Sequence, residues 1–219
     1  MKLGYTKCFL EVFLLLLDRK KDRAALRFLY RHTTFQNIHQ GDTLFETNNL
    51  AANGKIIYVA KGLVNGYITD ENQKQANIWL GRTGSTYISD DFSYIEHTFN
   101  ILAIEHSTVL IIDKYEFEEG CAWYPALDAL FHSYFLRNAL TDVNNRNIFF
   151  RLQNIENKTR LFKRIYPGLY ERIPAKLLMS YLEMDSTLKS GQNLQSGPVY
   201  SGNLSSNQWP SLFRESYLD

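Results

Sequence analysis

The stretch KIIYVAKGLVNGYITDENQKQANIWLG (residues 55–81) decides the fold. Its apolar residues come in short runs rich in Ile, Val and Tyr, broken at Gly62, at Asp70-Glu71-Asn72 and at Gly81. Short runs of this composition between turn signals are strands. The same grammar extends both ways. Upstream, FQNIHQGDTLFET (35–47) sets Phe35, Ile38, Leu44 and Phe45 around a turn at Gln40-Gly41-Asp42. Downstream come STYIS (85–89) and NILAIEHSTVLIID (100–113). Many short strands at regular spacing predict a β-sandwich or barrel over residues 34–113.

Helical periodicity flanks this core. CFLEVFLLLL (8–17) precedes DRKKDR (18–23). The apolar run is too short to cross a bilayer, Glu11 interrupts it, and no clear small-residue cleavage site follows. It predicts an N-terminal helix that buries Phe9, Phe13, Leu16 and Leu17 and leaves Arg19, Lys20 and Lys21 in water. A cytoplasmic, soluble protein without membrane partners is expected. After Asp113, a short helix fits 114–120 and a long one fits 124–152, with Pro125 in its first turn. Leu127, Phe131 and Tyr134 fall at i, i+4, i+7, and Leu136, Leu140 and Val143 repeat that spacing on a neighbouring face. So wide an apolar surface buries more than one side, against the β core and a second copy of the chain, or wholly within one chain. Leu127, Phe131 and Tyr134 are taken as the dimer face. Further helices fit 157–166, ended by Pro167-Gly168, and 173–182. From Ser190 the composition turns to Gly, Ser, Asn and Gln, a tail expected to be poorly ordered or to dock weakly through Trp209, Leu212 and Phe213.

Composition limits the function. The 219 residues carry 24 Lys+Arg and 23 Asp+Glu, a net charge of +1, so any nucleic-acid contact must be local. Cys8 and Cys121 are the only cysteines and read as free thiols, which excludes an iron–sulfur cluster held by this chain alone. His32, His39, His97, His106 and His132 are scattered. Without an HxH pair and spaced Glu, a phosphate-binding Gly loop or a Ser/Cys–His motif, no metal, cofactor or catalytic residue is expected.

In order and spacing, Tyr58–Gly81, QGDTLFETN (40–48), LAIEHSTVLIIDKYEFEEG (102–120) and TRLFKRIYPGLYERIPAKLLMSYLEM (159–184) together resemble the Crp/Fnr superfamily of transcription regulators. The resemblance covers about residues 34–185. It implies an α+β chain: an N-terminal helical segment (1–33), a cyclic nucleotide-binding-like double-stranded β-roll (34–121) and a long connecting and dimerisation helix (122–153). An incomplete winged-helix-like, helix-turn-helix domain (154–190) and the tail (191–219) follow.

In relatives that bind cyclic AMP, helix N-terminal amides and an Arg hold the phosphate. The matching region, ISDDFSYIEHTFNILAIE (88–105), has neither Arg nor Lys. Phe99 or Asn100 stands where the Arg is wanted, and Asp90-Asp91 where Gly-Glu is wanted. Asp90, Asp91, Ser93, Phe99 and Asn100 thus mark a pocket that disfavours a cyclic nucleotide, being closed or kept for a less anionic effector. His97 and His106 lack a third metal partner.

For DNA, Ala175, Leu178, Met179 and Leu182 give a buried stripe to the first helix of a helix-turn-helix. Lys176 faces phosphate, and Glu183 stands where the family generally has a left-handed Gly. Ser186 and Thr187 fall at the base-facing start of the second helix. Lys189 is its only cation, and Gly191 stops it early. Lys158, Arg160, Lys163, Arg164, Arg172, Lys176 and Lys189 are the candidate phosphate grips. The resemblance implies a homodimeric regulator of double-stranded DNA with a small-molecule effector or none. The alternative is a degenerate interaction module that reads no sequence.

Overall fold

A computed structural model of the chain describes residues 2–44, 54–69, 75–89 and 98–183, and all that follows concerns these. Two helices, α1 (Lys2–Phe13) and α2 (Arg23–Arg31), precede seven strands. These are β1 (Thr33–Ile38), β2 (Lys55–Lys61), β3 (Leu63–Thr69), β4 (Gln75–Arg82), β5 (Thr86–Ile88), β6 (Thr98–Ala103) and β7 (Ser107–Asp113). They form a four-stranded sheet in the order β1-β7-β2-β5 and a three-stranded sheet in the order β4-β3-β6, antiparallel throughout. The chain changes sheets at Gly62, where φ is +100°. A Cβ there would strike the Ser107 hydroxyl and lie 2.7 Å from the Ser107 Cα and 2.8 Å from the His106 carbonyl oxygen, so only Gly fits the corner.

Then come α3 (Lys114–Trp123), α4 (Pro125–Leu130), a π-helical turn (Phe131–Leu136), α5 (Arg137–Arg151), α6 (Ile155–Ile165) and α7 (Ala175–Tyr181). Asp113 caps α3 by accepting from the amides of Tyr115 and Glu116. The N-terminal segment is two helices where one was expected. Asp18 closes the turn between them by accepting from the amides of Lys20 and Lys21, and Asp22 by accepting from the amide of Asp18.

Three apolar clusters hold these elements together. One lies between the sheets, around Ile57, Val59, Val64, Trp79, Ile101 and Val109. A second joins Phe9 and Phe13 of α1 and Leu29 of α2 to Phe117, Leu127 and Phe135 over β2 and β7. The third gathers Phe149, Phe162, Tyr166, Leu178, Tyr181 and Leu182 against Leu63 and Leu80 of the roll.

The expected dimer face needs correction. Leu127 is 0% exposed, inside the second cluster. Phe131 and Tyr134 are half-buried there, and the Tyr134 hydroxyl bonds that of Tyr58 at 3.1 Å. The π turn adds about one residue to its repeat and rotates the faces of the helix beyond it. Apolar residues left outside on α5 include Leu140 (51% exposed) and Val143 (55%), on the face predicted to neighbour the stripe, and Ile148 (46%).

Candidate functional site

Of the predicted pocket residues, Asp90, Asp91 and Ser93 lie outside the described residues. Phe99 and Asn100 are in β6. The Phe99 ring stacks on Tyr87 of β5, with centroids 4.3 Å apart and planes 12° apart. Tyr87 in turn lies 5.3 Å from Trp79 of β4. Tyr87 of the four-stranded sheet thus contacts both Trp79 and Phe99 of the three-stranded one, an aromatic bridge between the sheets. Gly66 makes room for it, since a Cβ there would sit 2.9 Å from the Phe99 ring. Burial pushes the Tyr87 hydroxyl up to about 12. Asn100 is buried. Side chains of this kind can hold a flat apolar group, and none of them can neutralise a phosphate.

At the other end, Leu178 and Tyr181 form the buried side of α7, with Ile173 buried just before it and Leu182 just after it. Met179 is half-buried, and Ala175, expected inside, is exposed at the first turn. Glu183 adopts φ 48°, the left-handed conformation that the turn was expected to need. Lys158 of α6 holds that turn. It is 6% exposed, and its ammonium donates to the carbonyls of Leu182 at 2.7 Å and Glu183 at 3.4 Å. Carbonyls left over at a helix end need such donors. Lys158 is thus a capping residue, not a phosphate grip.

Arg172 is engaged as well. Its Nε donates to Glu105 Oε1 at 2.8 Å and its Nη2 to Oε2 at 2.6 Å, a forked pair that ties the loop before α7 to the roll. The Arg172 bond holds the Glu105 carboxyl below its ordinary value. Lys176, Arg160 and Arg164 are exposed, and Lys163 lies 3.9 Å from the Tyr170 ring. Ser186, Thr187 and Lys189 lie outside the described residues.

Sequence reading missed the polar seam that binds α7 and α5 to β4. Asn65 donates to the Asn77 side-chain oxygen at 2.6 Å, Asn77 to the Ser180 hydroxyl at 2.6 Å, and Arg146 to the Asn77 carbonyl at 2.8 Å. The one signal was Asn in the middle of two otherwise apolar strands. Nearby, the Tyr166 hydroxyl donates to Asp142 at 3.4 Å. Burial raises the Asp142 pKa, and Arg82 and Tyr166 only partly offset this. A carboxyl whose pKa is raised by folding contributes most below its ordinary range, and the contribution is lost as pH rises through the folded value. Asp142→Asn should therefore flatten this part of the stability–pH curve and raise stability at neutral pH. Urea unfolding of both proteins between acidic and neutral pH checks this, and a variant less stable at neutral pH would refute it.

Among the described residues no group of three or more His, Cys, Asp or Glu side chains could hold a metal ion, and no helix is long and apolar enough to cross a membrane. No protein-family model matches the chain, and no curated protein matches it. Solved structures do. FixK2 from Bradyrhizobium japonicum has a TM-score of 0.53 at 10% identity, over 69% of this chain and 77% of that one. A transcriptional regulator of the Crp/Fnr family from Eubacterium rectale has a TM-score of 0.51 at 12% identity, over 71% of this chain and 73% of that one. The chain thus has the fold of the Crp/Fnr regulators.

Proposed function

We propose that the chain is a cytoplasmic, non-enzymatic, homodimeric regulator that binds double-stranded DNA through α7 and the residues after it. The roll in this reading does not take cyclic AMP. The observation that carries it is the end of α7: a helix stopped by left-handed Glu183, clamped by Lys158, with Lys176 exposed at its start. That is the first helix and turn of a helix-turn-helix. Arg160, Lys163, Arg164 and Lys176 remain as phosphate contacts, with Ser186, Thr187 and Lys189 proposed at the bases. The dimer forms through the outer face of α5 at Leu140 and Val143. The aromatic bridge of Trp79, Tyr87 and Phe99 favours an apolar effector in the roll, if one binds.

The test is selection of bound duplexes from a random pool, followed by affinity against salt for the winner. A palindromic consensus whose affinity falls steeply with salt is expected. The second reading, an interaction module without sequence-specific binding, is favoured by the Ser180–Asn77 and Arg172–Glu105 bonds, which hold α7 and its loop to the roll. Weak, uniform binding with no consensus would select it.

A further inference from the structure

We propose that the N-terminal helical hairpin is a docking surface for membranes rich in anionic lipid. This goes beyond the regulator reading and does not depend on it. Between Asp18 and Arg31 stand Arg19, Lys20, Lys21, Arg23, Arg27 and Arg31, six of the chain's 24 Lys+Arg, against Asp18 and Asp22 alone. Both aspartates are turned into the backbone, accepting amide hydrogens within the turn, and all six cations are exposed. Among the described residues no ion pair engages any of the six. Arg23, Arg27 and Arg31 follow at i, i+4, i+8 along one face of α2, opposite to buried Ala25, Leu26 and Leu29.

The same hairpin carries exposed leucines. Leu15, in the turn between the helices, is 86% exposed and Leu10 is 40% exposed. An open groove of about 610 Å3 joins Leu10 to the cations, lined by Leu10, Leu14, Leu26, Arg19, Lys20 and Arg23. Apolar side chains ringed by cations match the boundary between acyl chains and anionic headgroups, where the former are buried and the latter paired. A nucleic acid would satisfy the cations and leave Leu10 and Leu15 in water, so the leucines decide for lipid. The hairpin lies on the surface and does not cross it, in keeping with the shortness of its apolar run.

The test is co-sedimentation of the full chain with vesicles of phosphatidylcholine alone or mixed with phosphatidylglycerol. Binding to the anionic vesicles only is expected, weakened by salt. Leu15→Asp should reduce it about tenfold or more, and Arg19→Glu with Arg23→Glu should do the same through charge. All three positions are exposed, so thermal melting of both variants should match the parent. Failure to bind anionic vesicles would overturn the proposal. So would binding that survives Leu15→Asp, or tighter capture of random-sequence duplex than of vesicles that is lost in the Arg variant. None of these outcomes bears on duplex selection through α7, so the two readings fail separately.

Discussion

Phe135→Ala should destabilise the protein by about 3–5 kcal/mol, the cost of emptying an aromatic site in a packed core. Phe135 leaves the π turn toward the inside, and its ring lies 5.9 Å from Phe117 and 6.3 Å from Phe13 and Tyr58. It therefore joins α1, α3 and the roll at one point, and no single neighbour can relax into the space. Urea unfolding should show a lower midpoint with an unchanged slope. The outer face should behave in the opposite way. Leu140→Asp with Val143→Asp touches exposed positions and should leave the unfolding of the isolated chain within about 0.5 kcal/mol per site, while sedimentation shows the proposed dimer falling to monomer. A dimer that survives both substitutions would remove α5 as the interface. A loss below about 1 kcal/mol for Phe135→Ala would mean that the inner face is misplaced.

Gly62→Ala should cost at least about 3 kcal/mol, from overpacking and from a conformation that a Cβ resists. The contact is with backbone, which cannot swing aside as a side-chain tip can: the added carbon would meet the Ser107 Cα and the His106 carbonyl oxygen. The Ser107 hydroxyl also accepts from the Leu63 amide at 3.1 Å, so any retreat of Ser107 strains that bond as well. The change acts where the chain passes between sheets, so both sheets should lose protection together in hydrogen exchange. Loss confined to one sheet would contradict this.

The strands were legible because their information is local. Turn residues at Gly62, Asp70 and Gly81 and the apolar runs between them fix each element without knowledge of its partner. The Lys158 and Arg172 roles were not legible. A run of basic residues between 158 and 176 looks like a phosphate-binding face until Glu105 is seen to hold Arg172 across 67 positions of sequence. The Leu182 carbonyl bonded by Lys158 is a backbone group with no sequence signature. Likewise the α1–α2 break is made by Asp side chains accepting amide hydrogens, in a segment without Gly or Pro. The π turn had no residue of its own to announce it, and the burial of Leu127 ahead of it comes from α1, α2 and α3 packing over the same face, which periodicity cannot show.

The fork between Arg172 and Glu105 and the Asn65–Asn77–Ser180 relay lie at separate points along the contact of α7 and its loop with the roll. Lifting α7 from β4 means releasing both. With either one released, the other still holds α7 or its loop to the roll. The cost of moving α7 away from the roll is therefore the sum of two unlike contacts, a forked ion pair open to water and an amide relay against β4.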